Sequence, residues 1–205
     1  RMSEEVYPDG SPDYTSTGVS ATRYIQTDTY ICRGSGTETW EPRFTYHGFR
    51  YAEVSGLSHD PDKGFLEGVV VYTDVPTTGS FRCSSDIINQ LHEMALWTQV
   101  SNLHGIPTDC PHREKCGWLG DAYAVLPMTN YNYDMQAFWI KYLNDIRSSA
   151  SREGVTLHHK AKNRVFYQAY KNKGIPFMIA PGKRECGAAS VDWGTALVQI
   201  LSSLY

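Results

Sequence analysis

The hydrophobic period of this chain changes once, near residue 80, and that change limits the possible folds more than any other feature. From Ala21 to about Val75, β-branched and aromatic residues alternate with polar ones, and turn residues interrupt at short intervals. The spacing predicts strands over Arg23 to Arg33, Glu38 to Tyr46, Phe49 to Val54 and Phe65 to Thr73, four or five in sequence, hence a β-sandwich portion. Residues Pro8 to Gly18 are rich in Pro, Gly, Ser, Thr and Asp without periodicity and read as loop.

Beyond residue 80 the period becomes helical. Ser84, Ser85 and Asp86 offer N-caps ahead of Ile87, Ile88, Leu91, Met94 and Ala95, predicting a helix to about Asn102. A shorter helix is expected from Asp121 to about Met128, and a long one carries Met135, Phe138, Trp139, Tyr142 and Ile146. The last begins near Asp192 and aligns Trp193, Ala196, Leu197, Ile200, Leu201 and Leu204. Helical spacing assigns Trp97, Trp139, Tyr131, Tyr133 and Tyr142 to the core rather than to sugar stacking. So many one-sided helices exceed what about 75 residues of half-sandwich can cover, so further helices are expected, and the chain reads as a fragment of a longer protein.

Net charge −3 leaves no basic excess for phosphate backbones or anionic lipid, and no apolar run approaches a membrane span, so neither nucleic acid nor membrane is expected as a partner. The five cysteines, Cys32, Cys83, Cys110, Cys116 and Cys186, lack the spacing of a disulfide framework. His158-His159 with Lys160, Lys162 and Arg164 reads as a solvated basic loop, and 182–187 as a connector or a cap over a pocket.

The segment that carries chemistry is Ile106 to Ala122, I-P-T-D-C-P-H-R-E-K-C-G-W-L-G-D-A. Asp109, Glu114 and Asp121 supply three carboxylates, Arg113 adjoins the central one, and Trp118 lies between the second and third. Pro107, Pro111, Gly117 and Gly120 interrupt regular structure so that these side chains can converge. Carboxylates and a guanidinium hydrogen-bond sugar hydroxyls in fixed directions, and an indole covers an apolar sugar face. Glycosidic cleavage needs one carboxylic acid and one carboxylate; neighbouring like charges raise a carboxyl pKa and a guanidinium lowers it, so the spacing alone leaves the assignment open. A solvated loop or a structural ion pair accounts for the same residue types. Cys110, His112 and Cys116 fall short of a zinc set, and Cys110 with His112 lacks an orienting partner for nucleophilic catalysis. Cys110 reads as a small buried residue.

The run Asp109 to Asp121 closely resembles the signature of the α-L-rhamnosidases of glycoside hydrolase family 78: Asp-Cys-Pro, Arg-Glu, then Gly-Trp-x-Gly-Asp. Glu41 to Tyr51, Ser101-Asn102, Ile106-Pro107-Thr108, Ile179-Ala180-Pro181 and Val191 to Gly194 agree with it, and the resemblance covers about Thr22 to Tyr205. It implies a multidomain β plus α protein: residues 1–80 as the C-terminal part of a β-sandwich domain, and 81–205 as the N-terminal part of an (α/α)6 six-hairpin barrel. It implies inverting hydrolysis of terminal α-L-rhamnose from plant glycosides or polysaccharides, without a cofactor or a metal. Glu114 matches the general acid. Asp109 and Asp121 match carboxylates that hold rhamnose hydroxyls, Arg113 and Trp118 match sugar-binding neighbours, and Trp193 matches an aromatic from the next barrel loop that lines the pocket. His112, Lys115 and Cys116 stand where Gln, Arg or Lys, and Leu are usual. The family's general base is a later glutamate; Glu153 and Glu185 are nearest here, but neither sits in its motif, so the chain alone is expected to lack turnover. The alternative is a carbohydrate-binding or inactive truncated module. Compartment and oligomeric state stay open.

Overall fold

The structure is a computed structural model that describes residues 1–14, 26–150, 156–161, 164–169, 176–182 and 189–205, with backbone alone at 156–161 and 164–169. The described chain divides into two compact units, one made of Arg1–Val71 with Cys110–Lys115, the other of Tyr72–Asp109 with Cys116–Tyr205.

In the first unit, β1 (Met2–Ser3) pairs antiparallel with β2 (Tyr51–Ala52), Met2 opposite Ala52. Gln26 continues this contact. Its carbonyl accepts the Met2 N–H, and its buried amide bonds both the N–H and the carbonyl of Gly48. Tyr30 stacks on Trp40 with ring centroids 5.3 Å apart, and Tyr30 Oη donates to Glu38.

The strands expected over Glu38 to Tyr46 and Phe65 to Thr73, and over the described part of Arg23 to Arg33, form no ladder among the described residues; the expectation is met only at Tyr51–Ala52. The physical reason is that alternation describes a face, whereas a strand also requires a neighbour for its N–H and carbonyl groups. Ile31 and Val69 to Val71 remain exposed, so the apolar side of these extended segments is uncovered among the described residues.

The second unit is built from α1 (Asp86–Val100), α2 (Leu119–Asn132), α3 (Gln136–Ser149) and α4 (Val191–Ser203). Leu119, Ala122, Leu126 and Thr129 recur at helical spacing on the buried side of α2, and α4 packs against both α2 and α3. The core collects Leu103, Leu126, Met135, Phe138, Trp139, Tyr142, Ile146, Ala196 and Ile200. Trp139 Nε1 donates to Asn130 Oδ1 at 2.8 Å, giving a buried indole its partner.

Three expectations are corrected here. α2 runs to Asn132 rather than about Met128: Pro127 lies inside it on the exposed side, where water can solvate the Tyr123 carbonyl that loses its donor, and Thr129 and Asn132 bond back to the Leu126 and Met128 carbonyls. α1 buries only Gln99, while Ile87, Ile88, Leu91, Met94 and Trp97 are exposed, in keeping with the expectation that these helix faces exceed what the chain itself can cover. Trp97 at 61% and Tyr131 at 79% exposure are therefore outside the core, unlike Trp139, Tyr142 and Tyr133, because helical spacing defines a face and not what covers it. The basic run around His158 is not a loop: β3 (Thr156–Ala161) pairs antiparallel with β4 (Arg164–Ala169), Ala161 opposite Arg164. Glu153, Glu185, Cys186 and most of 182–187 lie outside the described residues.

Candidate functional site

The signature segment is shared between the units, so each part is described with its own unit. In the second unit, Asp109 and Cys116 clasp one another: the Asp109 N–H donates to the Cys116 carbonyl at 3.0 Å, and the Cys116 N–H donates to Asp109 Oδ1 at 2.9 Å. Asp109 thus spends one carboxylate oxygen on fixing the chain.

Immediately downstream, the backbone pairs with a distant segment. Trp118 forms an antiparallel bridge with Ile179, the Leu119 N–H donates to the Met178 carbonyl at 2.8 Å, and the Ala180 N–H donates to the Gly117 carbonyl at 2.9 Å. The buried Tyr142 hydroxyl donates to that same Gly117 carbonyl at 2.9 Å, and burial pushes its pKa up. This close approach explains Gly117, since a Cβ there would stand 2.1 Å from the Ala180 carbonyl oxygen.

Gly120 has a different reason. A Cβ at Gly120 would fall 2.5 Å from Cε2 of Trp193, so the indole from the start of α4 lies directly on the first turn of α2. Trp193 Nε1 is buried, with no hydrogen-bond partner among the described residues. Asp121 occupies that same first turn, where the helix dipole favours a carboxylate. The second unit accordingly holds Asp109, Trp118, Asp121 and Trp193, all partly buried.

The first unit holds Arg113 and Glu114. Arg113 Nη2 lies 3.7 Å from Glu114 Oε1, with both side chains partly buried, and Arg113 Nε is buried with no hydrogen-bond partner among the described residues. Lys115 follows with φ +52°, a left-handed conformation that a side chain rarely adopts. Its ammonium donates to the Tyr46 carbonyl and sits 4.5 Å from the centroid of the Tyr46 ring. Burial lowers the Lys115 pKa, opposed by the negative charge of Asp28. Asp28 Oδ2 also meets His47 Nε2 at 2.8 Å. His112 Nδ1 lies 3.4 Å from Glu4 Oε1 without hydrogen-bond geometry, and Pro111 packs where a Cβ on Gly48 would fall.

Cys110 is buried as expected, Gly120 lies within α2 rather than interrupting regular structure, and the close contacts of Gly117 and Gly120 and the left-handed backbone of Lys115 are what the reading for chemistry did not specify. Their signal lay in the same motif, as residue types with backbone rather than side-chain duties. Among the described residues no three His, Cys, Asp or Glu side chains gather as a metal site, and the four described cysteines are free thiols. No described helix is long and apolar enough to cross a membrane.

Taken separately, the first unit sets a carboxyl group beside a guanidinium, and the second holds two carboxyl groups and two indoles, residue types suited to sugar hydroxyls and to proton transfer at a glycosidic oxygen. Comparison with known proteins gives the class. Residues 76–205 match the bacterial alpha-L-rhamnosidase 6 hairpin glycosidase domain, and residues 1–72 match the bacterial alpha-L-rhamnosidase concanavalin-like domain. The chain belongs to the α-L-rhamnosidases of glycoside hydrolase family 78.

An alpha-L-rhamnosidase from Formosa agariphila is 48% identical over 185 residues, which are 90% of this chain and 18% of that protein. Among solved structures, the alpha-L-rhamnosidase from Dictyoglumus thermophilum superposes with TM-score 0.82 at 39% identity, covering 100% of this chain and 21% of its own. The Streptomyces avermitilis alpha-L-rhamnosidase complexed with L-rhamnose gives 0.81 at 34% identity, covering 100% and 18%. The chain thus spans about a fifth of the length of these relatives.

Proposed function

We propose that this chain is part of an inverting α-L-rhamnosidase that releases terminal α-L-rhamnose. Residues 1–80 would belong to its β-sandwich and 81–205 to the first part of an (α/α)6 barrel. Glu114 donates its carboxyl proton to the glycosidic oxygen as the bond to the anomeric carbon breaks, and the bonding pair leaves with that oxygen. A carboxylate elsewhere in the protein takes a proton from the water that attacks the opposite face, which inverts the anomeric centre. Asp109 and Asp121 accept hydrogen bonds from rhamnose hydroxyls, Arg113 donates to them, and Trp118 and Trp193 cover apolar sugar surface. No cofactor takes part.

The observation that carries this reading is family membership together with the ungapped run Asp109 to Asp121, in which Arg113 lies beside the Glu114 carboxyl. The base is assigned outside this chain because neither Glu153 nor Glu185 stands in its motif, and the 205 residues alone are expected to give no turnover.

The test is hydrolysis of p-nitrophenyl and methyl α-L-rhamnosides by the full-length protein, its Glu114→Gln variant and the 205-residue chain. Loss of the acid should lower kcat on the methyl glycoside by about 10²- to 10⁴-fold and much less on the nitrophenyl one, whose leaving group needs little protonation. Equal losses on both would remove Glu114 from the acid role. Turnover by the chain alone would overturn the placement of the base.

A further inference from the structure

We infer that Cys110 is a positioning residue for Glu114, acting through the main chain of the acid rather than through its carboxyl. The inference rests on the reading of Glu114 as the proton donor. Cys110 is buried, and its Sγ accepts the backbone N–H of Glu114 at 3.1 Å. The two residues are four apart, so the contact closes a single turn around Pro111, His112 and Arg113.

On the other side of Glu114 the chain is fixed as well. Lys115 stands at φ +52°, kept there by the Tyr46 carbonyl and ring. The backbone of Glu114 is therefore held from both neighbours, by a thiol that receives its N–H and by an ammonium that anchors the next residue. A carboxyl on a flexible side chain delivers a proton efficiently only when its own backbone is stationary, because the transfer demands a donor within hydrogen-bond reach of the leaving oxygen. Neither metal binding nor nucleophilic chemistry is needed to explain a cysteine here, and the buried thiol serves as a soft acceptor.

The experiment uses the full-length protein with Cys110→Ala, Cys110→Ser and Glu114→Gln, assayed on the methyl and p-nitrophenyl α-L-rhamnosides. Cys110→Ala should lower kcat on the methyl glycoside by about tenfold or more, leave KM within about twofold, and affect the nitrophenyl glycoside far less. Cys110→Ser keeps an acceptor and should restore most of the loss. Should Cys110→Ala fail to fold, Cys110→Val, similar in size and without an acceptor, makes the same comparison.

Equal losses on both substrates, or no loss, while Glu114→Gln remains selective for the methyl glycoside, would overturn the positioning role and leave the acid assignment standing. A Glu114→Gln variant without that selectivity would overturn the acid assignment, and the role of Cys110 with it.

Discussion

Adding one methyl group at Gly117 would place it 2.1 Å from a backbone oxygen, whereas at Gly120 it would meet Cε2 of the Trp193 ring at 2.5 Å. Backbone cannot yield as a side chain can, so the two substitutions should differ. Gly120→Ala is expected to cost about 1–3 kcal/mol of stability and to alter tryptophan fluorescence as Trp193 shifts. Gly117→Ala should cost more than about 4 kcal/mol, because it also disrupts the carbonyl that receives both Ala180 N–H and Tyr142 Oη. Denaturant unfolding of the two variants checks that order. At this scale the chemistry-bearing residues were legible as a motif. The reasons for the glycines were not, because their contacts, Ala180 and Trp193, lie far along the chain. Trp193 itself could be found only by likeness, since nothing in its local spacing ties it to Gly120.

The helices were legible from their period, and their starts fell within about two residues of expectation. What covers each helix was not, since periodicity names a face without its neighbour. The consequence is measurable on this chain: Leu126→Ala, within the core, should cost about 2–5 kcal/mol, and Leu91→Gln, on the exposed face of α1, less than about 0.5 kcal/mol. The helix that outran its expected end gives a second case. Pro127→Ala restores a donor for the Tyr123 carbonyl, and thermal unfolding should show a gain of about 1–3 kcal/mol. Strands were read least well. An alternating face was visible over Phe65 to Thr73, but its pairing partner cannot be read from the segment itself.

For the molecule as a whole, alkaline pH separates two opposed contributions. The folded state raises the Tyr142 pKa above its ordinary value near 10, so it retains a proton that the unfolded chain releases. That contribution is complete below pH 10 and is lost as pH rises further. Lys115 has the opposite sign: burial lowers its folded pKa below 10.5, so the unfolded chain binds the extra proton and stability rises with pH up to that value. Tyr142→Phe should cost about 1 kcal/mol near neutrality, from the lost bond to Gly117, and should flatten the decline above pH 10. Lys115→Met should flatten the rise below 10.5. Unfolding free energies measured from pH 8 to 11 decide both.

The bridge between Trp118 and Ile179 has a further consequence for how the signature comes into being. Its hydrogen bonds join positions separated by about sixty residues, and α2, α3 and the β3–β4 hairpin all lie inside the loop they close. Loop closure on that scale comes after local helix formation, so Gly117 to Leu119 acquire their final backbone only once residues 178–180 have arrived. A translating ribosome would therefore expose Asp109 to Asp121 well before it supplies the segment that secures the end of the motif, and substitutions at Ile179 would change the yield of correctly formed signature without touching any residue of it.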